Sequence, residues 1–149
     1  MKSVSYTKAF EMPIPIDTLF PLFSPEGEKD WVPGWDYENV MGTTELGEDY
    51  VFLTKAHDHG TTEAIWIVKK YDPKFHYVQF YKIEPEDKLG IVTVQCSELA
   101  ESTKVQVTYK YMALSEKGEM FVSEFNESVY EEFIGEWQTL LSIYFESKD

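Results

Sequence analysis

Tyr109 and Tyr111, alternate residues of a strongly patterned strand, put two hydroxyls on one apolar wall, and Asn126 and Glu136 bring an amide and a carboxylate toward the same interior from a helical stretch. Phenols and a carboxylate in an apolar cavity can orient a polar group of a bound molecule or move a proton. Glu136 is the one acid whose spacing lets it approach the cavity, so Glu136 and Tyr109 are the candidate acid–base residues; the reading preferred for each polar residue of the helix is the plainer one, with Asn126 bonding backbone near the helix start and Glu136 reaching solvent. A second inward carboxylate would push the two pKa values apart, but no other acid is placed by its spacing to do so. His57-Asp58-His59 is the one compact metal-like cluster. Its histidines lie two apart before Gly60, which suits a hairpin turn, and the sequence offers no third ligand, so no metal is expected. Cys96 is the only cysteine, with no His or Asp at the spacing of a nucleophile motif, and is expected to be an inert, half-buried thiol. His76 is expected at the surface.

Charge narrows the partners. The 149 residues carry a net charge of −14, and all 13 basic residues are Lys. Without a guanidinium there is no planar fork for phosphate or carboxylate, and the net charge repels nucleic acid and anionic membranes. With 43% hydrophobic and 16% aromatic residues the chain is too apolar for disorder, yet no run approaches the ~18 uninterrupted apolar residues of a membrane helix. Met1 to Tyr6 alternates at once, without the apolar region of a secretory signal, so residue 1 is expected to begin the fold and the location to be cytoplasmic. A weak homodimer is the form of self-association considered, and the sequence does not fix the oligomeric state.

The elements that must position these residues follow from periodicity. Ser3 to Met12 alternates as a first strand, with Val4, Tyr6, Lys8 and Phe10 on one face. Pro13 and Pro15 end it, and Asp17 is the expected N-cap of a short helix bearing Leu19, Phe20, Leu22 and Phe23. A second short helix should begin near Ser24-Pro25. Trp31 and Trp35 flank a Pro-Gly turn and should fold onto an apolar surface, because two indoles are costly to expose. From Tyr37 to Ala113, breaks near residues 46–48, 57–60, 71–74, 85–87 and 100–102 divide the chain into strands joined by hairpins. With the first strand they make about seven, antiparallel. In the strand at 62–71 both faces are apolar; Trp66 is taken as inward over Ile65 and Ile67. Val105, Val107, Tyr109 and Tyr111 share a face that should look at the last helix. That helix is expected to run unbroken from Ser115 to about Glu146, with Val122, Val129, Phe133, Trp137, Leu140 and Tyr144 in one sector. Phe133 should sit at the centre of its contact with the sheet.

One helix on one sheet, with large rings between them, predicts a pocket. Trp31, Trp35, Trp66, Tyr109, Tyr111, Asn126, Val129, Phe133, Glu136 and Trp137 are its candidate ligand-binding residues.

The order of elements and their local wording, Pro-Ile-Asp-Thr-Leu-Phe-Pro-Leu-Phe at 15–23, Trp-Val-Pro-Gly-Trp at 31–35, Trp66, Tyr71-Asp72-Pro73 and Val-Thr-Tyr-Lys-Tyr-Met-Ala-Leu-Ser at 107–115, resembles the START-like, birch-allergen-like (SRPBCC) superfamily. More narrowly it is similar to small bacterial members grouped with polyketide cyclases and dehydratases. The resemblance covers nearly the whole chain, 1–149. It implies an α+β helix-grip fold, in which a seven-stranded antiparallel sheet curls around the C-terminal helix, two short helices close one end, and lipids, sterols or polyketides are held between. The superfamily has no shared catalytic motif, so no catalytic residue carries over and no cofactor is implied. Binding of an apolar or amphipathic small molecule (lipid, isoprenoid or polyketide-like) is the expected function. The alternative is a cofactor-independent cyclase, dehydratase or isomerase using Glu136 or a pocket Tyr, and a third reading is a protein-interaction role like that of heat-shock ATPase activators in the same superfamily.

Overall fold

The computed structural model describes residues 2–55 and 63–148. His57-Asp58-His59 therefore lies outside the described residues. The chain opens with β1 (Ser3–Met12), followed by α1 (Ile16–Leu19), a 3₁₀ turn at Phe20–Leu22 and α2 (Pro25–Glu28). The strands β2 (Val51–Thr54), β3 (Ala64–Asp72), β4 (Tyr77–Glu84), β5 (Lys88–Glu98) and β6 (Thr103–Ala113) come next, and α3 (Glu116–Glu124) and α4 (Glu127–Ser147) complete the order. The sheet is antiparallel throughout, with strand order β1-β6-β5-β4-β3-β2. The last strand thus lies beside the first. A register shift between Val68 and Lys70 marks a bulge in β3, the kind of irregularity that bends a strand and deepens twist.

Period-two alternation sets the concave face. Along β6 Val105, Val107, Tyr109 and Tyr111 are buried while Lys104, Gln106, Lys110 and Met112 are exposed, as the sequence pattern predicts. In β3 the inward residues are Ala64, Trp66 and Val68. The Trp66 indole N–H donates to Thr54 Oγ1 at 2.9 Å, which gives the buried ring's polar edge a partner.

Two expectations about the elements are corrected. The described residues form six strands, not seven. The stretch 37–45 joins the sheet only through a bridge between Glu38 and Leu53. Its polar groups are used locally instead: Asn39 Oδ1 accepts from the Gly42 N–H at 3.0 Å and from the Tyr50 hydroxyl at 3.2 Å. Side-chain bonds of this kind compete with a strand ladder. Nor is the C-terminal helix unbroken. Phe125 leaves helical geometry at ψ 84°, and Asn126, extended at ψ 176°, caps α4 by accepting from the Val129 N–H at 2.9 Å. Asn is among the best N-caps, and it restarts the helix in a new direction.

The restart also changes which side of α4 is inside. Tyr130, Ile134, Trp137 and Leu141 are the buried residues, Phe133, Leu140 and Tyr144 are half-buried, and Val129 is exposed. Ile134, not Phe133, is central to the contact. α4 is tied to the sheet by the Tyr130 hydroxyl, which donates to Val107 O at 2.5 Å, and by Gln138 Nε2, which donates to Glu11 O at 3.2 Å. Burial raises the Tyr130 pKa above its ordinary value, so the phenol remains a donor.

The short helices close one end. Asp17 lies within the first turn of α1, whose N-cap is Pro15, and accepts from or donates to nothing helical; its carboxylate meets His76 Nε2 at 2.8 Å. Ser24 caps α2, accepting from the Gly27 N–H at 2.9 Å while its hydroxyl donates to Pro21 O. A Cβ at Gly27 would lie 2.3 Å from Pro21 O, so only glycine allows the two short helices to meet this closely.

Candidate functional site

Between the sheet and α4 the side chains of Phe23, Phe52, Trp66, Phe80, Val92, Val94, Tyr109 and Trp137, with Glu28, enclose a small cavity. Each comes from the local pattern of its element. Phe80, Val92 and Tyr109 are register neighbours on β4, β5 and β6, Trp66 and Phe52 are partners on β3 and β2, and Trp137 descends from α4. The rings pack at the distances aromatic pairs prefer: Phe52 stacks on Trp66 at 5.4 Å between centroids, and Phe23 stacks on Trp137 at 6.0 Å. The cavity volume is about 20 Å³, room for about one water. A site for a drug-sized ligand measures roughly 300–1,000 Å³. The rings therefore fill most of the space that they frame.

Glu28, partly buried on α2, is the carboxylate in this lining. Lys82 follows Phe80 on the inward side of β4, is 2% exposed, and holds its Nζ 5.4 Å from the centroid of the Trp66 ring. Neither residue stands out in the sequence as a site residue. Their signals were the alternation Val78, Phe80, Lys82, Glu84 on β4, masked by the equally apolar Tyr81 and Ile83 on the other face, and a helix too short to show a face.

The ten predicted ligand-binding residues divide. Trp66, Tyr109 and Trp137 line the cavity. Trp31 stands behind it, edge-on to Trp137 at 5.6 Å with its indole N–H donating to Leu22 O, and Phe133 is half-buried, edge-on to Tyr109 at 5.4 Å. Trp35 packs on the short helices instead, its N–H donating to Pro25 O at 2.8 Å. Tyr111 is clamped between Phe121 and Phe125, at 5.1 and 5.2 Å, and is spent on docking α3. Asn126, Val129 and Glu136 are exposed and outside the cavity lining. Glu136 thus reaches solvent, the reading preferred for it from sequence, and does not fill the role of candidate interior acid; the break at Phe125 and Asn126 sets α4 out of phase with an unbroken helix.

Beyond Lys82 the same concave face turns ionic. Glu84 and Lys88 are paired across β4 and β5, and Lys88 Nζ lies 2.9 Å from Glu84 Oε2 and 3.5 Å from Asp87 Oδ1. All three are at most 3% exposed. Lys88 Nζ also sits 3.9 Å from the centroid of the Phe121 ring, a close cation–π contact, while exposed Lys117 reaches Asp87 at 3.6 Å. The N-terminus of α3 is pressed onto this corner: a Cβ at Gly118 would lie 1.9 Å from Asp87 O. The cluster anchors a helix.

The remaining reactive groups are quiet. Cys96 is 2% exposed, and burial pushes its thiol up to about 12, leaving no thiolate to attack near neutral pH. Among the described residues no group of His, Cys, Asp and Glu could hold a metal, and no helix is long and apolar enough to cross a membrane. Among the described residues, two clefts open outside. One of 490 Å³ is lined by Gly34, Asp36, Tyr37, Glu38, Leu53, Thr54, Lys55 and Glu63, and its four charged side chains fit water better than an apolar ligand. The other, of 370 Å³, lies against the short helices and is bounded by Phe20, Pro21, Phe23, Ser24, Thr44, Glu45, Leu46 and Tyr71.

No protein-family model matches the chain, and no curated protein matches it significantly. Solved structures do. A major latex-like protein of Panax ginseng aligns with a TM-score of 0.71 at 16% identity, over 98% of this chain and 97% of that one. A point mutant of norcoclaurine synthase from Thalictrum flavum, crystallised with a transition-state analogue, aligns at 0.69 and 13%, over 99% and 98%. A protein of Mesorhizobium loti aligns at 0.64 and 12%, over 93% and 97%. Likeness along the full length at such low identity is a likeness of fold. A curved antiparallel sheet around a long C-terminal helix, with short helices after the first strand, is the helix-grip, birch-allergen-like architecture that the sequence resembles.

Proposed function

With the helix-grip fold as the starting point, we propose that this protein binds a small, mainly apolar molecule between its sheet and α4, with lipids, isoprenoids and polyketide-like aromatics as the candidate classes. The observation that carries this reading is the ring of six aromatic side chains and two valines converging on a residual cavity beside one carboxylate, Glu28. A core that served stability alone would gain by filling that space, since unfilled volume forfeits contacts. Binding at this volume requires the rings to part. The test is a joint one: laurate, farnesol and 1-naphthol are each titrated while tryptophan fluorescence and melting temperature are followed. At least one should move both together, since a ligand at 100 times its Kd adds about 2.7 kcal/mol to the folded state. If none moves either signal, the binding reading fails.

A second reading, proton-transfer catalysis without a cofactor, is favoured by one specific feature. Glu28 and Tyr109 stand on the walls of the same cavity, and one neighbour of this fold is a synthase. In this reading Glu28 takes the acid–base role for which Glu136 is the candidate from sequence. Glu28→Gln would then abolish turnover and leave ligand affinity within about tenfold.

A further inference from the structure

The outer face of the sheet, turned away from α4, carries an apolar band. Leu53, Ile65, Ile83, Leu89 and Met112 are register partners across β2 to β6. Val51, Ile67, Tyr81 and Ile91 form the adjoining row across β2 to β5. Each alternates with inward residues of its strand, and none of the nine is among those that form the core or pack against it. Met112 is exposed and the others are half-buried. At ~4.8 Å between strands and ~6.8 Å between residues of one face, the band covers roughly 300 Å², the scale at which an apolar patch marks a contact surface. Charges close it in a symmetric pattern. In line with β3, Glu63 stands two residues before Ile65 and Lys69 two after Ile67; in line with β2, Asp49 stands two before Val51 and Lys55 two after Leu53. All four are exposed, and Lys69 Nζ is held at the border of the band, 5.3 Å from the centroid of the Tyr81 ring. Because β2 and β3 are antiparallel, one border bears Lys69 and Asp49 and the other Lys55 and Glu63. Lys110 ends the second row on β6, so these charges have no negative excess, although the chain as a whole carries −14.

We propose that this face pairs with the same face of a second copy, giving a two-fold dimer held sheet to sheet. A two-fold axis that crosses the strands between the two rows lays each strand, reversed, over its own counterpart. Ile65 and Ile67 then meet Ile67 and Ile65 of the second copy, Lys69 comes opposite the second copy's Glu63, and Asp49 opposite its Lys55. One operation matches both borders, because on each strand the two charges stand equally far from the centre of the band, at Trp66 on β3 and Phe52 on β2. An anionic membrane would pair the lysines and leave Asp49 and Glu63 against like charge. The apolar area is smaller than the ~800 Å² per partner of a standard stable interface, so the dimer is reversible, with a Kd on the order of 10–100 µM. The cavity and α4 lie on the other face, and the pairing does not depend on a ligand.

Sedimentation velocity of the full chain, from about 5 to about 500 µM at about 150 mM salt, should show a reversible monomer–dimer equilibrium. Ile67→Lys sets a charge at the centre of the band and should weaken dimerisation about tenfold or more, with the melting temperature of the dilute protein little changed, since Ile67 lies outside the core. Lys69→Glu and Glu63→Lys should each weaken it about tenfold, because each places like charges across the axis twice. An equimolar mixture of these two variants should recover association to within about threefold of the wild type, since the mixed pair has opposite charges at both contacts. Effects of either substitution on its own chain cannot produce that recovery. A wild type monomeric throughout the range, a dimer unaffected by Ile67→Lys, or a mixture no better than its components would overturn the proposal. Flotation of a monomeric wild type with phosphatidylserine vesicles would overturn it too, and assign the face to a membrane.

Discussion

Phe80, Val92 and Tyr109 form one row across the concave face, and Glu84 and Lys88 lie in another row of the same strands, four residues further along β4. The first row faces rings that leave a cavity between them; the second is closed by an ion pair, a cation–π contact and a helix start with no room for a single methyl group. The ionic corner is over-determined, because a buried charge that loses its partner keeps the whole cost of desolvation. An imperfect aromatic fit forfeits only dispersion contacts, a smaller penalty, so the opening that the binding proposal requires is placed in the middle of the face. One sheet thus combines an end that fixes α3 with a centre left incompletely filled.

Breaking the ionic corner should give the largest effect. Lys88→Met leaves Glu84 buried without its cation and Asp87 with exposed Lys117 alone, and should cost about 3–5 kcal/mol in a denaturant melt. Adding Glu84→Leu should recover much of that loss; a double variant no better than the single one would mean that the corner is not an ion-pair anchor.

The contact of α4 comes next. Ile134→Ala should cost about 2–5 kcal/mol, as for a fully buried aliphatic side chain, and more than Phe133→Ala, whose ring is only half-buried. The reverse order would restore the unbroken helix that periodicity predicts.

Adding atoms gives the finest discrimination between the two regions. Gly118→Ala forces a Cβ against Asp87 O and should cost about 1–3 kcal/mol, despite alanine's better helix propensity. Val94→Ile adds one methylene beside the cavity and should change stability by less than about 0.5 kcal/mol in either direction. A cost at Val94 equal to that at Gly118 would show the chamber to be as full as the corner.

The same contrast explains what the sequence disclosed. Strict alternation in β1 and β6 was enough to read their inward faces, and the Trp66 side of β3 was read correctly although both of its faces are apolar. The sector of α4 was not. Its true stripe, Tyr130, Ile134, Trp137 and Leu141, has regular helical spacing, but half-buried Phe133, Leu140 and Tyr144 broaden the apolar arc until its centre depends on where the helix begins. Asn126 was legible as a residue able to bond nearby backbone; as an N-cap it would have marked that beginning. The interior charges were hidden for a different reason. Lys82, Glu84 and Lys88 lie on strands whose other face is apolar too, so pattern alone assigns them to solvent, and only partners distant in sequence or set by the turn, Trp66 for Lys82 and the Glu84–Lys88–Asp87 cluster under Phe121 of α3, make their burial tolerable. Glu28 and Phe23 belong to elements of four residues or fewer, where periodicity carries no information.

The central claim is that the aromatic centre of the face, and not its periphery, receives a ligand. The four tryptophan indole N–H resonances report on it directly, since Trp66 and Trp137 line the chamber, Trp31 backs it, and Trp35 packs on the short helices with its N–H held by Pro25 O. In a titration with 1-naphthol followed by nitrogen–proton correlation spectra, the signals of Trp66 and Trp137 should shift together and saturate at one equivalent, with that of Trp35 unmoved. Saturable shifts confined to Trp35, or no saturable shift at Trp66 and Trp137, would contradict the account.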